Sequence, residues 1–181
     1  MTPSDKLLRT YHFTTGTPSY VEKASNRFHF GKTLPVSSSE LANRIQTLIP
    51  RGRKVVFVGH GVMNDLRALK ALGFQFPTRL STALDTSQIA HEVLGSWTGS
   101  LRELLKELKC PYNGLHCAGN DANFTLKALL LLVAKGLEEQ NSNKRMVKAL
   151  RRIGQQEIPH HMDPKGKTTV TPGLKRKKSR E

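Results

Sequence analysis

From residue 37 to residue 136 the apolar positions alternate between short unbroken runs and helical spacings. Lys54–Val58 is a β-branched and aromatic run too short for a helix, which predicts a buried strand. A helix is predicted over Met63–Leu72, with Leu66, Leu69 and Leu72 on one face and Gly73 as its stop. Leu80–Leu84 reads as a second buried strand, and Asp85 or Thr86 can cap a helix continuing through Ile89 and Val93. Leu101–Leu108 is a further helix, preceded by Ser100 and ended near Pro111. The last strong helix starts near Ala118 and runs through Leu126, Leu129, Leu130 and Val133 to Gly136. Strands alternating with helices predict an α/β layered domain.

The first fifty residues carry a weaker pattern. Leu7–Thr14 can form a strand, and Phe28–Phe30 a short second one ending at Gly31. Ser37 precedes Leu41, Ile45, Leu48 and Ile49 at helical spacing, with Glu40 in the first turn, so a serine-capped helix is expected there.

Charge changes this picture at one end. The 181 residues carry 29 Lys and Arg against 14 Asp and Glu, a net charge of +15. Residues 141–181 hold twelve of the basic residues and three acids, with almost no large apolar residue after Ile158. Such a segment cannot bury enough surface to offset its ordering entropy, so the chain divides into a domain over 1–140 and a basic, largely disordered tail over 141–181. Lys175, Arg176, Lys177, Lys178 and Arg180 form a compact basic run, suited to nuclear import, to nucleic-acid phosphates, or simply to solubility.

The longest strongly apolar stretch, Ala128–Ala134, is far short of the roughly 20 residues that span a bilayer. Met1–Tyr11 contains no apolar signal core, so an intracellular protein, nuclear or cytoplasmic, is expected. Cys110 and Cys117 are the two cysteines, which excludes a disulfide scaffold and a four-cysteine zinc site.

The acids of the folded part sit where a parallel α/β layer places its chemistry, near the C-terminal ends of strands. Asp65 falls in the first turn of the helix after the first buried strand. Asp85 ends the second, and Asp121 opens the last helix five residues after His116. A carboxylate there can hold a hard cation and an imidazole can take a proton from water. His60 is better read as a buried hydrogen-bonding residue than as a ligand.

Gly59-His60, Asp65, Leu84-Asp85-Thr86, and His116-Cys117-Ala118-Gly119-Asn120-Asp121-Ala122 follow one another in that order. Together they resemble the second half of the DEDDh 3′–5′ exonucleases, of ribonuclease H-like fold, whose third motif reads His-x-Ala-x-x-Asp-Ala. Phe28–Gly31 followed by the serine-rich cap is similar to the fungal branch of that superfamily, some members of which are associated with mRNA export. The resemblance implies that Asp121 and Asp65 are metal ligands and His116 the base that activates water. Two Mg²⁺ or Mn²⁺ ions would clamp a phosphodiester of a nucleic acid, RNA more than DNA. It leaves Asp85 a structural cap.

The family's first motif, Asp-x-Glu on the central strand, has no counterpart in these 181 residues, and upstream of Asp65 the acids are Asp5, Glu22 and Glu40. Tyr11–Gly16 can be aligned with that motif, with aromatics in place of both carboxylates, but Leu7–Thr14 matches the third strand better. The expected fold is therefore an incomplete ribonuclease H-like α/β domain lacking its first strand or strands. The expected function is nucleic-acid binding with impaired catalysis, because two aspartates and a histidine carry too little charge to hold two divalent cations close together. The alternative is an active exonuclease, completed by a longer product or by a partner chain that supplies the missing strand. Without that strand, Val55–Val58 would keep an open apolar edge.

Overall fold

The computed structural model describes residues 8–50, 52, 54–76, 80–95 and 99–159, residues 80 and 81 by backbone alone. The architecture is mixed α/β with two small parallel sheets. The elements run β1 (His12–Thr14), α1 (Pro18–Arg27), β2 (Thr33–Pro35), α2 (Ser38–Leu48), β3 (Val55–Gly59), α3 (Val62–Ala71), β4 (Leu80–Asp85), α4 (Thr86–Leu94), α5 (Leu101–Glu107), α6 (Ala118–Glu139) and α7 (Lys144–Gly154).

β1 pairs with β2 in parallel, His12 opposite Thr33, and β3 pairs with β4 in parallel, Val56 opposite Thr82 and Gly59 opposite Asp85. Among the described strands the two pairs do not join into one sheet. Helix α6 packs against both β1 and β3 and so bridges them.

The core lies between α6 and the helices that cover it. Ala90 of α4, Leu104 and Leu105 of α5, and Phe124, Ala128, Leu131 and Leu132 of α6 are all buried in one cluster. The short α5 is held at its start by a reciprocal cap: Glu103 N–H donates to the Ser100 hydroxyl oxygen, and Ser100 N–H donates to the Glu103 carboxylate. Phe30, half-buried, meets Phe124 edge-on with ring centroids 5.5 Å apart.

One expectation is corrected, and two helices form where none was expected. Phe28–Phe30 is not a strand: its rings turn into the core, Phe28 beside His12 at 4.8 Å, and the second strand forms later, at Thr33–Pro35. Residues 18–27, which carry no apolar stripe, form α1, started by Thr17 accepting from the Tyr20 N–H and by Pro18 at the first position. Residues 144–154, inside the segment assigned to the tail, form α7, which packs along α6 with Val147 and Gly154 buried. A Cβ on Gly154 would lie 2.5 Å from Leu131 Cγ, so the glycine sets how closely α7 approaches. The basic run at 175–180 lies outside the described residues.

A buried lysine fastens the chain just beyond α7. Lys127 Nζ donates to the Gln156 carbonyl at 2.9 Å and lies 5.4 Å from the Phe30 ring centroid and 5.9 Å from that of Phe124. Burial pushes its ammonium below the ordinary lysine range.

Candidate functional site

The parallel register of β3 and β4 brings Gly59 and Asp85 side by side at the ends of their strands. A Cβ on Gly59 would lie 2.8 Å from Val62 Cα, so only glycine lets α3 begin this close to the strand. Asp85 fills the corner. Its Oδ1 accepts from Gly61 N–H at 3.0 Å, Ser87 N–H at 2.9 Å and the Ser87 hydroxyl at 2.7 Å, and its Oδ2 accepts from Val62 N–H at 2.9 Å. One carboxylate thus satisfies the starts of both α3 and α4. Burial pushes its pKa up, but the donors from Gly61, Ser87 and Val62 together hold it below the ordinary aspartate value.

His60 is half-buried against the same corner, with Nδ1 3.0 Å from the Thr86 hydroxyl, which itself donates to the Gly59 carbonyl at 3.0 Å. Burial lowers its pKa, against the opposing pull of Asp85 and of a bond to the Gly99 backbone. Asp65, in the first turn of α3, is exposed at its surface. The partial burial of its carboxyl and then the neighbouring charge of Asp85 raise its pKa.

The second group forms at the start of α6. His116 is exposed and stands in a left-handed backbone conformation, φ 68°, and its N–H donates to Asp121 Oδ1 at 3.2 Å. The aspartate thereby closes the loop that leads into the helix. Partial burial raises the Asp121 pKa, while the His116 N–H and the His116 charge act against the rise. Helix α6 can start here because Gly119 lies against Phe28 and His12, where a Cβ would be 2.6 Å from Phe28 Cε2.

The raised Asp121 pKa has a sign that can be checked. The folded state holds the proton more tightly than the unfolded chain, so stability falls as pH rises from the ordinary aspartate value through the raised one. Above that window the ionised carboxylate is a net cost. Asp121→Asn keeps an acceptor for His116 N–H and removes the cost. The variant is expected to be as stable as the parent or more so at neutral pH, and to lose stability more steeply on acidification in urea denaturation, because the group that gained stability as pH fell is gone. A site kept for function is often one that stability alone would not select.

A cleft of about 380 Å³ opens beside His116. It is lined by Thr14, Tyr20, Lys23, Arg27, His116 and Cys117, among others, and no carboxylate is among its lining residues. Tyr20, Lys23 and Arg27 share one face of α1. Reading the sequence missed all three, because a polar segment without an apolar stripe offers no helix on which to align them.

The structure thus ties His116 to Asp121, and sets Asp65 beside an Asp85 already occupied by caps. Among the described residues no three His, Cys, Asp or Glu side chains gather where they could hold a metal ion. These residues do not by themselves fit a pair of divalent cations. The cysteines add no ligand of the required kind. Both are buried, and burial pushes the Cys110 thiol up to about 11, which keeps it protonated.

Three fungal proteins are similar to this chain. An uncharacterised nucleolar protein of Schizosaccharomyces pombe is 29% identical over 118 residues, which are 61% of this chain and 48% of that protein. An uncharacterised protein of Saccharomyces cerevisiae is 26% identical over 160 residues, 70% of this chain and 33% of that protein. The Saccharomyces cerevisiae protein named "Good for full DBP5 activity protein 2" is 36% identical over 89 residues, 39% of this chain and 16% of that protein. The chain therefore spans less than half the length of each of these relatives. No helix among the described residues is long and apolar enough to cross a membrane. Residues 8–132 match the family described as DNA polymerase III subunit epsilon-like, C-terminal domain, of DEDDh type. With its ordered motifs around Asp65, Asp85 and His116–Asp121, the chain belongs to that DEDDh exonuclease family.

Proposed function

We propose that these residues form a nucleic-acid-binding domain of exonuclease descent that does not complete hydrolysis by itself. The observation that carries the reading is the division of the acidic groups: Asp121 is engaged with the His116 loop, Asp65 stands near a capping Asp85, and no three-donor cluster forms among the described residues. His116, Asp121 and Asp65 are the inherited site residues. Asp121 and Asp65 would be ligands of Mg²⁺ or Mn²⁺ only in company with further carboxylates, and His116 would take the proton of the attacking water. Tyr20, Lys23 and Arg27 offer a strand end one aromatic face and two cations beside His116. RNA is the preferred polymer, the fungal relatives support reading the protein into the fungal branch, and the nucleolar relative supports an intracellular site of action, nuclear or cytoplasmic.

The second reading is an active 3′–5′ exonuclease whose Asp-x-Glu strand comes from a longer product or from a partner chain. The split between the β1–β2 and β3–β4 pairs, both resting on α6, favours it. β3 has an exposed Val56 and pairs with β4 alone among the described strands.

One experiment separates these readings. The chain is incubated with 5′-labelled single-stranded RNA and DNA in Mg²⁺ or Mn²⁺, with EDTA and His116→Ala controls. Binding that EDTA does not disturb, without shortening of the strand, is the expected result. Robust cleavage by this chain that disappears in His116→Ala would overturn the first reading. Cleavage that appears only after a chain carrying an Asp-x-Glu strand is added would establish the second.

A further inference from the structure

We infer that the outer face of α7 is a docking rail for the sugar–phosphate backbone of a nucleic-acid strand, separate from the cleft beside His116. Lys144, Lys148 and Arg152 recur every fourth residue along this helix, with Arg145 beside them, and all four are exposed. Four residues of α-helix advance about 6 Å, comparable with one nucleotide step of an extended strand, so successive cations can meet successive phosphates. No carboxylate lies on α7 itself, and the neighbouring Glu138 and Glu139 are engaged by Arg151 and Lys135.

Stability does not account for this arrangement. Two of the cations, Lys144 and Arg145, occupy the first turn, where the helix dipole is positive and basic side chains are unfavourable. A bound phosphate reverses that balance, because it meets the dipole and the side chains together. A groove of about 390 Å³ beside Lys144 and Lys148 adds Asn141 and Ser142 as hydrogen-bonding groups, and the Glu138 that also lines it is paired with Arg151.

The rail is also held rigid. Val147 and Gly154 are buried where α7 packs on α6, Arg151 is paired with Glu138, and Cys110 Sγ donates to the Gly154 carbonyl at 3.3 Å. Lys127 fastens Gln156 beyond its end, and Ile158 packs against the core. A strand that docks here therefore orders little new protein. The same packing argues against insertion into lipid, since Val147 and Gly154 are already covered by α6. The inference does not depend on whether the domain cleaves: an active enzyme and an inactive one would use the rail alike.

The test compares the full chain with a Lys144→Gln, Lys148→Gln, Arg152→Gln variant, whose changes are all exposed and are checked for retained helix by circular dichroism. Binding of a labelled oligouridylate is followed by fluorescence anisotropy across salt concentration. Each phosphate neutralised on a single strand contributes roughly 0.7 to the slope of log affinity against log salt, so the variant's slope is expected to be shallower by about 2. Its loss of affinity between about 50 and 200 mM salt is then smaller by roughly twentyfold than the parent's. An unchanged slope overturns the inference, and so does polyglutamate competing as well as unlabelled oligouridylate, which would make an acidic protein the partner. A second variant, with Lys175, Arg176, Lys177, Lys178 and Arg180 changed to glutamine, keeps α7 intact. If it alone removes the salt dependence, binding belongs to the chain's end and the inference fails.

Discussion

Asp85→Ala is expected to lower the free energy of unfolding by roughly 2–4 kcal/mol, the sum of a lost helix cap and several charge-assisted hydrogen bonds left without an acceptor. Gly61, Val62 and Ser87 would each be left with a backbone N–H at a helix start that no longer meets the carboxylate. Asp85→Asn should cost less, since an amide oxygen can still receive from Ser87 and Gly61, whereas its NH₂ faces the Val62 N–H. The pH dependence gives a second readout. The folded pKa lies below the unfolded value, so the stabilisation is complete above the unfolded value and disappears as pH falls through the folded one. Urea denaturation of the two variants at neutral and acid pH measures both effects. An Asp85→Ala protein as stable as the parent would show that α3 and α4 do not depend on this corner. Because α3 carries Asp65, any loosening here also displaces a residue of the proposed site.

Phe124→Ala is expected to be the most damaging single truncation, at about 4 kcal/mol, the middle of the range for a buried phenylalanine reduced to alanine. Phe124 is fully buried, meets Phe30 edge-on, and forms one wall of the cage around Lys127. Its removal leaves a cavity and takes one aromatic face from a buried ammonium. Phe124→Leu fills more of the space and should recover a good part of the loss. Thermal unfolding followed by calorimetry distinguishes them. If Phe124→Ala costs no more than Phe124→Leu, the surrounding side chains collapse into the space and the core is less tightly specified than the burial of Leu104, Leu105 and Leu132 indicates.

Much of the folded part was legible where local physics decides. The strand predicted at Lys54–Val58 forms at Val55–Gly59, and the helix predicted at Met63–Leu72 forms at Val62–Ala71. Asp85 caps α4 as the strand-to-helix transition indicated. These elements combine a strong apolar period with a stop or start residue, so tertiary contacts reinforce the local preference. Gly136 was a poor stop: α6 continues to Glu139, because Leu137 and the packed α7 outweigh the modest cost of an internal glycine.

The missed elements share a different cause. α1 buries no residue, so its helix rests on the Thr17 cap and Pro18. α7 was hidden by its own charge: twelve basic residues over 141–181 made one basic tail of a segment whose first part has a narrow apolar seam at Val147, Leu150 and Gly154. Composition averaged over a long window conceals a seam of that width.

For the site, the order and spacing of Asp65, Asp85, His116 and Asp121, together with the lack of any Asp-x-Glu among 181 residues, were determined by the sequence alone, because they are properties of the covalent chain. What each group does was decided by the tertiary structure. One carboxylate became the clasp of two helices, a lysine entered the core between two phenylalanine rings, and four cations were turned outward on α7. Those outcomes depend on groups far apart in the chain meeting at hydrogen-bond distance, and on burial, which no local pattern of residues encodes.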